Sequence, residues 1–134
     1  MIIDAQTHVR VARPSRDLAA AERFYVDGLG LEVRWRSTER VPGRHDLLTV
    51  GPRGGGRHFE PAFDPEHPVE PTPTVEDLFV VHLGAPAEEE QVERPLAAGG
   101  TRVPSHHPYG DEYGVTVADP DGYRLVLCSR SWSI

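Results

Sequence analysis

A pattern of one strand, one helix and three strands runs through this chain twice, about sixty residues apart, and this repeat restricts the fold more than any other feature. In the first copy, residues 7–13 alternate, with Val9 and Val11 on one face and His8, Arg10 and Ala12 on the other. Pro14 is expected to end that strand, with Ser15 or Asp17 capping the helix that follows. Leu18, Ala21, Phe24 and Tyr25 then recur at helical spacing and form one apolar face, and Gly28 and Gly30 stop the helix. Residues 31–36, 46–50 and 58–63 read as strands, with loop chemistry at Val41-Pro42-Gly43 and a glycine-rich turn at 52–56. That glycine run leads into a strand and carries no Gly-Lys-Ser or Gly-Lys-Thr, so it lacks the helix N-terminus a phosphate loop needs.

The second copy follows a proline-rich stretch, with prolines at 61, 65, 68, 71 and 73, that reads as an extended, semi-rigid linker. Residues 78–83 make a strand and 86–98 a helix ended by Gly99-Gly100. Pro95 inside that helix predicts a kink or a late start, because proline lacks the donor and crowds the preceding turn. A short strand at 101–103 and a loop over 105–112 come next. Strands at 113–118 and 123–128 close the chain as a hairpin around Asp119-Pro120-Asp121-Gly122. In that turn proline presets φ, aspartate bonds its own backbone and glycine takes a positive φ. Each copy alone has too little core to stand, so the two must pack together.

The bulk numbers exclude several classes. The 134 residues suit one domain, and a 38% apolar content supports one modest core. A net charge of −7 with no basic cluster argues against nucleic acid. No apolar run approaches a membrane span, and the start Met1-Ile2-Ile3-Asp4 has neither a charged nor an apolar leader region. Cys128, the single cysteine, excludes an internal disulfide and suggests a reducing compartment. A cytoplasmic location is the expectation.

Five segments carry a resemblance: Arg16-Asp17-Leu18, Arg23-Phe24-Tyr25, Gly28-Leu29-Gly30-Leu31-Glu32, Ala97-Ala98-Gly99-Gly100 and Asp119-Pro120-Asp121-Gly122-Tyr123. Together they resemble the vicinal oxygen chelate superfamily, which groups glyoxalase I, bleomycin-resistance proteins and extradiol dioxygenases. The resemblance implies an α+β fold in which two tandem βαβββ modules form an open, barrel-like mixed sheet around a central pocket. One domain over 1–134 is expected, with modules at 5–63 and 76–130 joined by the linker 64–75. Members are commonly homodimers.

Metal-dependent members of the superfamily place ligands at four inward positions, and here the resemblance puts Arg10, Glu60, Asp77 and Val126 at them. Arginine is a permanent cation and valine has no donor, so no metal or other cofactor is expected. Arg10 and Glu60 are read instead as a charge-assisted pair in the metal's place. His8 and His58 share that face and either line the pocket or are plain core or rim histidines. Trp35 offers a stacking surface or a core or dimer contact. Adjacent loop residues point different ways, so one of His106 and His107, His107 in the preferred version, joins Tyr109 and Tyr113 at the mouth.

The expected function is metal-independent binding of a small molecule, of the resistance-protein type, with antibiotic or metabolite sequestration as its use. The negative chain favours a cationic ligand, while Arg10 favours a carboxylate or phenolate on it. The alternative is a lyase, isomerase or dioxygenase of the same superfamily with Glu60 as base or metal ligand. A purely structural domain with a filled pocket is the third reading.

Overall fold

The repeat becomes two four-stranded mixed sheets in a computed structural model that describes residues 3–37 and 42–132. Met1, Ile2 and Val41 of the sequence reading lie outside the described residues. The first sheet holds β1 (Val9–Pro14), β2 (Glu32–Arg36), β3 (Asp46–Gly51) and β4 (Arg57–Phe63), in the order β1-β4-β3-β2. The second holds β5 (Leu78–His82), β6 (Thr101–Val103), β7 (Gly114–Ala118) and β8 (Arg124–Cys128), in the order β5-β8-β7-β6. In each, the first strand runs parallel to the last and the other neighbours are antiparallel. The sheets are open rather than closed into a barrel, and this is the α+β arrangement of paired βαβββ units expected from the sequence.

Helix α1 (Leu18–Glu22) starts at Asp17, whose side chain accepts the Ala20 N–H, and continues into a π-helical turn, Arg23–Gly28. Of the two expected caps Asp17 serves, because the Ser15 hydroxyl is engaged elsewhere. Helix α2 (Glu89–Ala97) begins three residues later than the 86–98 expected, where the Glu88 N–H bonds Gln91 Oε1 at 2.8 Å, and Pro95 sits in its final turn. Residues 105–112 are not all loop: Pro108–Tyr113 form helix α3, with Pro108 at the first turn, where a missing N–H costs no intrahelical bond.

Both sheets turn one face toward the helices. Ala21, Phe24 and Tyr25 pack there with Leu48, Val50 and Phe59 of the first sheet and Val117, Leu125 and Leu127 of the second. Phe79 joins them, its ring 5.6 Å from Phe59 and 6.3 Å from Tyr25. One core therefore serves both modules, as their individual shortage of apolar residues requires.

Polar groups fasten the same seam. The Tyr25 hydroxyl donates to Asp119 Oδ2 at 2.5 Å, while Asp119 Oδ1 accepts the N–H groups of Asp121 and Tyr123. Asp121 reaches back to the first module, accepting from Ser15 Oγ at 2.6 Å and the Arg16 N–H at 2.9 Å. Arg16 also pairs with Glu70 and donates to the Pro71 carbonyl, so the proline-rich segment is tied down rather than free. The Arg13 guanidinium lies between the Phe59 and Tyr123 rings, 5.4 and 4.8 Å from their centroids.

Burial, then the neighbouring Asp119 carboxylate, pushes the Tyr25 phenol well above its ordinary range, and burial also raises Asp119. Because the folded phenol's pKa is raised, its contribution is complete below about pH 10 and is lost as pH rises through the folded value. Tyr25→Phe is predicted to cost about 1–3 kcal/mol in urea unfolding at pH 7, by leaving Asp119 short of a donor. It should also flatten the loss of stability above pH 10; an unchanged midpoint and alkaline profile would show that the bond carries no stability. Gly122 has φ +92°, so Gly122→Val forces a side chain into the left-handed region and is predicted to cost at least about 1 kcal/mol. Thermal unfolding at the wild-type midpoint would refute the turn assignment.

Candidate functional site

The faces turned away from the helices carry the polar chemistry. In the first sheet, β1 lies parallel to β4 with Arg10 beside His58 and Ala12 beside Glu60, so strand alternation sends all four to the outward face. Trp35 of β2 pairs with Thr49 of β3 on that face, after a bulge between Val33 and Trp35. Of these, Arg10, Ala12, Glu60 and Trp35 line an open groove of about 690 Å³, together with Arg44 and His45.

Glu60 is the fixed point of the groove. It is 3% exposed, and its Oε2 accepts from Arg10 Nη1 at 3.1 Å and from Thr49 Oγ1 at 2.8 Å. The Arg10 side chain remains 60% exposed, so one edge of its guanidinium is anchored while the rest faces the groove. Trp35 is 56% exposed and presents an indole to the same space. A buried carboxylate that holds a guanidinium beside an open aromatic surface is suited to receive a planar or anionic group.

Other residues singled out from the sequence are distributed differently. His8 and His58 pack edge to face at 5.6 Å beside the groove, and His58 Nε2 is buried without a hydrogen-bond partner. Asp77 stands in the turn before β5, where its carboxylate accepts the Thr74 N–H, and bonds from Thr74 lower its pKa. Val126 lies on the outward face of the second sheet, beside Val80. Tyr109 and Tyr113 stack on one another at 4.6 Å on and beside α3, with Arg130 over Tyr113. Asp77, His107, Tyr109, Tyr113 and Val126 all belong to the second sheet and its loops, and none of them lines the groove holding Arg10 and Glu60. The expectation that His106 and His107 diverge needs correction. Both imidazoles turn toward Glu76, because extended backbone at His107 precedes α3 and the β5 turn brings Glu76 beneath them.

The divalent metal of metal-dependent relatives does not fit the four corresponding residues. Arg10 places a cation at the first position and directs it onto the carboxylate at the second, Val126 offers no donor, and Asp77 is held by its own turn. Cys128 is buried in β8 and offers no exposed thiol.

Arg44 and His45 were not singled out from the sequence; they follow a Pro-Gly loop, where no periodicity assigns a side chain to a face. Thr49 was likewise missed, although its position on a β-branched strand opposite Glu60 was within reach of the alternation. Glu76 went unremarked because its partners are thirty residues away in sequence.

Residues 76–129 match the family of the YycE-like C-terminal domain. The chain is 29% identical over 120 residues to YycE of Bacillus subtilis, an uncharacterised protein, covering 89% of this chain and 85% of that one. The crystal structure of a Bacillus subtilis YycE protein, described as a candidate glyoxalase or fosfomycin-resistance protein, superposes with a TM-score of 0.80 at 28% identity, over 96% of this chain and 92% of that one. The trypanothione-dependent glyoxalase I of Leishmania major shares the fold at TM-score 0.70 and 17% identity, over 93% and 87% of the two chains. TnmS3, an antibiotic-binding protein of Streptomyces sp. CB03234, shares it at TM-score 0.62 and 22% identity, over 98% and 99%. With its paired βαβββ sheets and these relatives, the chain is a member of the glyoxalase/bleomycin-resistance/dioxygenase superfamily.

Proposed function

We propose that this protein binds a small molecule carrying an aromatic ring and an anionic group, without a metal ion, and sequesters it in the groove of the first sheet. The observation that carries this reading is the Arg10–Glu60–Thr49 assembly at the groove floor, with Trp35 exposed beside it. Glu60 orients Arg10, and Arg10 and Arg44 set two guanidinium groups against one buried carboxylate in the groove lining, within an acidic chain. The lining favours the carboxylate or phenolate side of the ligand chemistry over a basic group. A role in antibiotic binding has support from TnmS3, which shares the fold.

The working unit we propose is a homodimer in a reducing cytoplasm. Edge strands β1 and β5 carry Val9, Val11, Leu78 and Val80, all more than a third exposed, and a second copy would cover such surface. A partner's second sheet laid over the groove would add Val126 and the α3 loop to the site. Light scattering after size exclusion is predicted to give twice the monomer mass; a monomer at working concentrations would confine the site to the groove.

Calorimetric titration of the chelator-treated protein with substituted benzoates and phenols, against bleomycin as the basic comparison, tests the binding reading. Aromatic acids should bind and quench tryptophan fluorescence, and Arg10→Met should weaken them about ten- to a hundredfold, the worth of a charge-assisted hydrogen bond. Its urea stability should fall by only about 1–2 kcal/mol, because the buried Glu60 carboxylate loses one of its two donors and keeps Thr49. Binding that survives Arg10→Met unchanged would overturn the assignment, and a stability loss of several kcal/mol would mark the pair as structural.

A further inference from the structure

From the convergence of two imidazoles and a carboxylate at the entry to β5, we infer a second site, for a divalent transition-metal ion of the zinc type, built from Glu76, His106 and His107. It lies outside the groove and does not depend on the reading proposed for it. Glu76 Oε1 stands 2.8 Å from His107 Nε2 and 3.8 Å from His106 Nε2, and one donor atom from each residue falls within 4.8 Å of the others. A tetrahedral zinc ion with bonds of about 2.0–2.1 Å needs donor–donor edges of about 3.3–3.4 Å, so shifts of about 0.5 Å at the two Glu76 edges and of at most about 1.5 Å between the imidazoles bring all three into place. Two imidazoles and one carboxylate suit zinc, nickel or copper rather than magnesium or calcium, and leave a coordination position for water.

A hydrogen bond explains the placement of one ring only. His107 can donate to Glu76, but the His106 ring lies beyond bonding distance of that oxygen and packs at 5.0 Å, edge to face, on its neighbour. A cation between the three donors accounts for both rings turning to a single carboxylate oxygen. The two arms are also held in advance. The Glu76 N–H bonds Thr74 Oγ1 at 3.2 Å, and the Thr74 N–H bonds Asp77 Oδ2 at 2.7 Å. On the other side the His107 N–H bonds Ser105 Oγ at 3.2 Å, the Ser105 N–H bonds Asp111 Oδ1 at 2.9 Å, and the Gly110 N–H bonds the His107 carbonyl. Little backbone entropy remains to be lost when the ion enters. The bound ion clasps the α3 loop to the start of β5.

The test is titration of zinc chloride into full-length, tag-free, chelator-treated protein, followed by calorimetry and by competition with a chromophoric chelator. One equivalent per chain is expected, and cobalt in place of zinc should give the visible absorption of a four-coordinate ion. His106→Ala, His107→Ala and Glu76→Gln should each weaken zinc binding at least about tenfold, with circular dichroism unchanged because all three side chains are exposed. Glu60→Gln should leave zinc affinity unchanged, which separates this site from the groove. No stoichiometric uptake, uptake indifferent to His107→Ala, or uptake abolished by Glu60→Gln would each overturn the assignment.

Discussion

Two aspartates in one turn connect the halves of this protein. Asp119 and Asp121 flank Pro120 in the β7–β8 connection, yet each carboxylate reaches the first module: Asp119 accepts from Tyr25, Asp121 from Ser15 and the Arg16 backbone. Both are buried. Removing them from water costs more than a single hydrogen bond returns, and the cost is met because each accepts at least two. The shared core beneath them is non-directional, so the aspartates supply the orientation that apolar packing alone leaves open. With the helix-side faces pressed together in this way, the outward faces of both sheets are left free of the shared core.

That orientation explains the character of the outward faces. A strand that buries Leu48 and Val50 on one side must present Thr49 on the other, and a strand that buries Phe59 must present His58 and Glu60. The groove is thus a by-product of core alternation with polar residues placed at the free positions. Glu60 tolerates burial because Arg10 and Thr49 answer it from the neighbouring strands, and the solvated guanidinium is thereby offered to whatever enters. The same placement sets Arg10 where the family resemblance puts the first ligand of metal-dependent relatives, and a guanidinium cannot serve as one.

Much of the fold was legible in the sequence because it rests on local chemistry. Alternation in β1, the helical face of Leu18, Ala21, Phe24 and Tyr25, and the Pro-Asp-Gly turn each need only near neighbours to be read. The Arg10–Glu60 contact was reached through the family resemblance, since no local rule joins residues fifty apart. What escaped depended on long-range placement or on loops. The π-helical turn at Arg23–Gly28 answers to packing against α2, where Gly28 lies close to the Pro95 backbone. Arg44, His45 and Glu76 sit in irregular segments, and the turning of His106 and His107 toward one carboxylate is a matter of backbone angles that residue types do not reveal.

The central claim is that the ligand enters over Arg10, Thr49 and Glu60. Amide and arginine side-chain correlations of isotope-labelled protein, followed while an aromatic acid is added, test it most directly. The account predicts shifts centred on the Arg10 Nε–H, the Trp35 indole and the amides of Thr49 and Glu60, with the Asp119–Asp121 turn unmoved. Shifts confined to the second sheet, or a ligand that moves the turn and leaves Arg10 untouched, would contradict it.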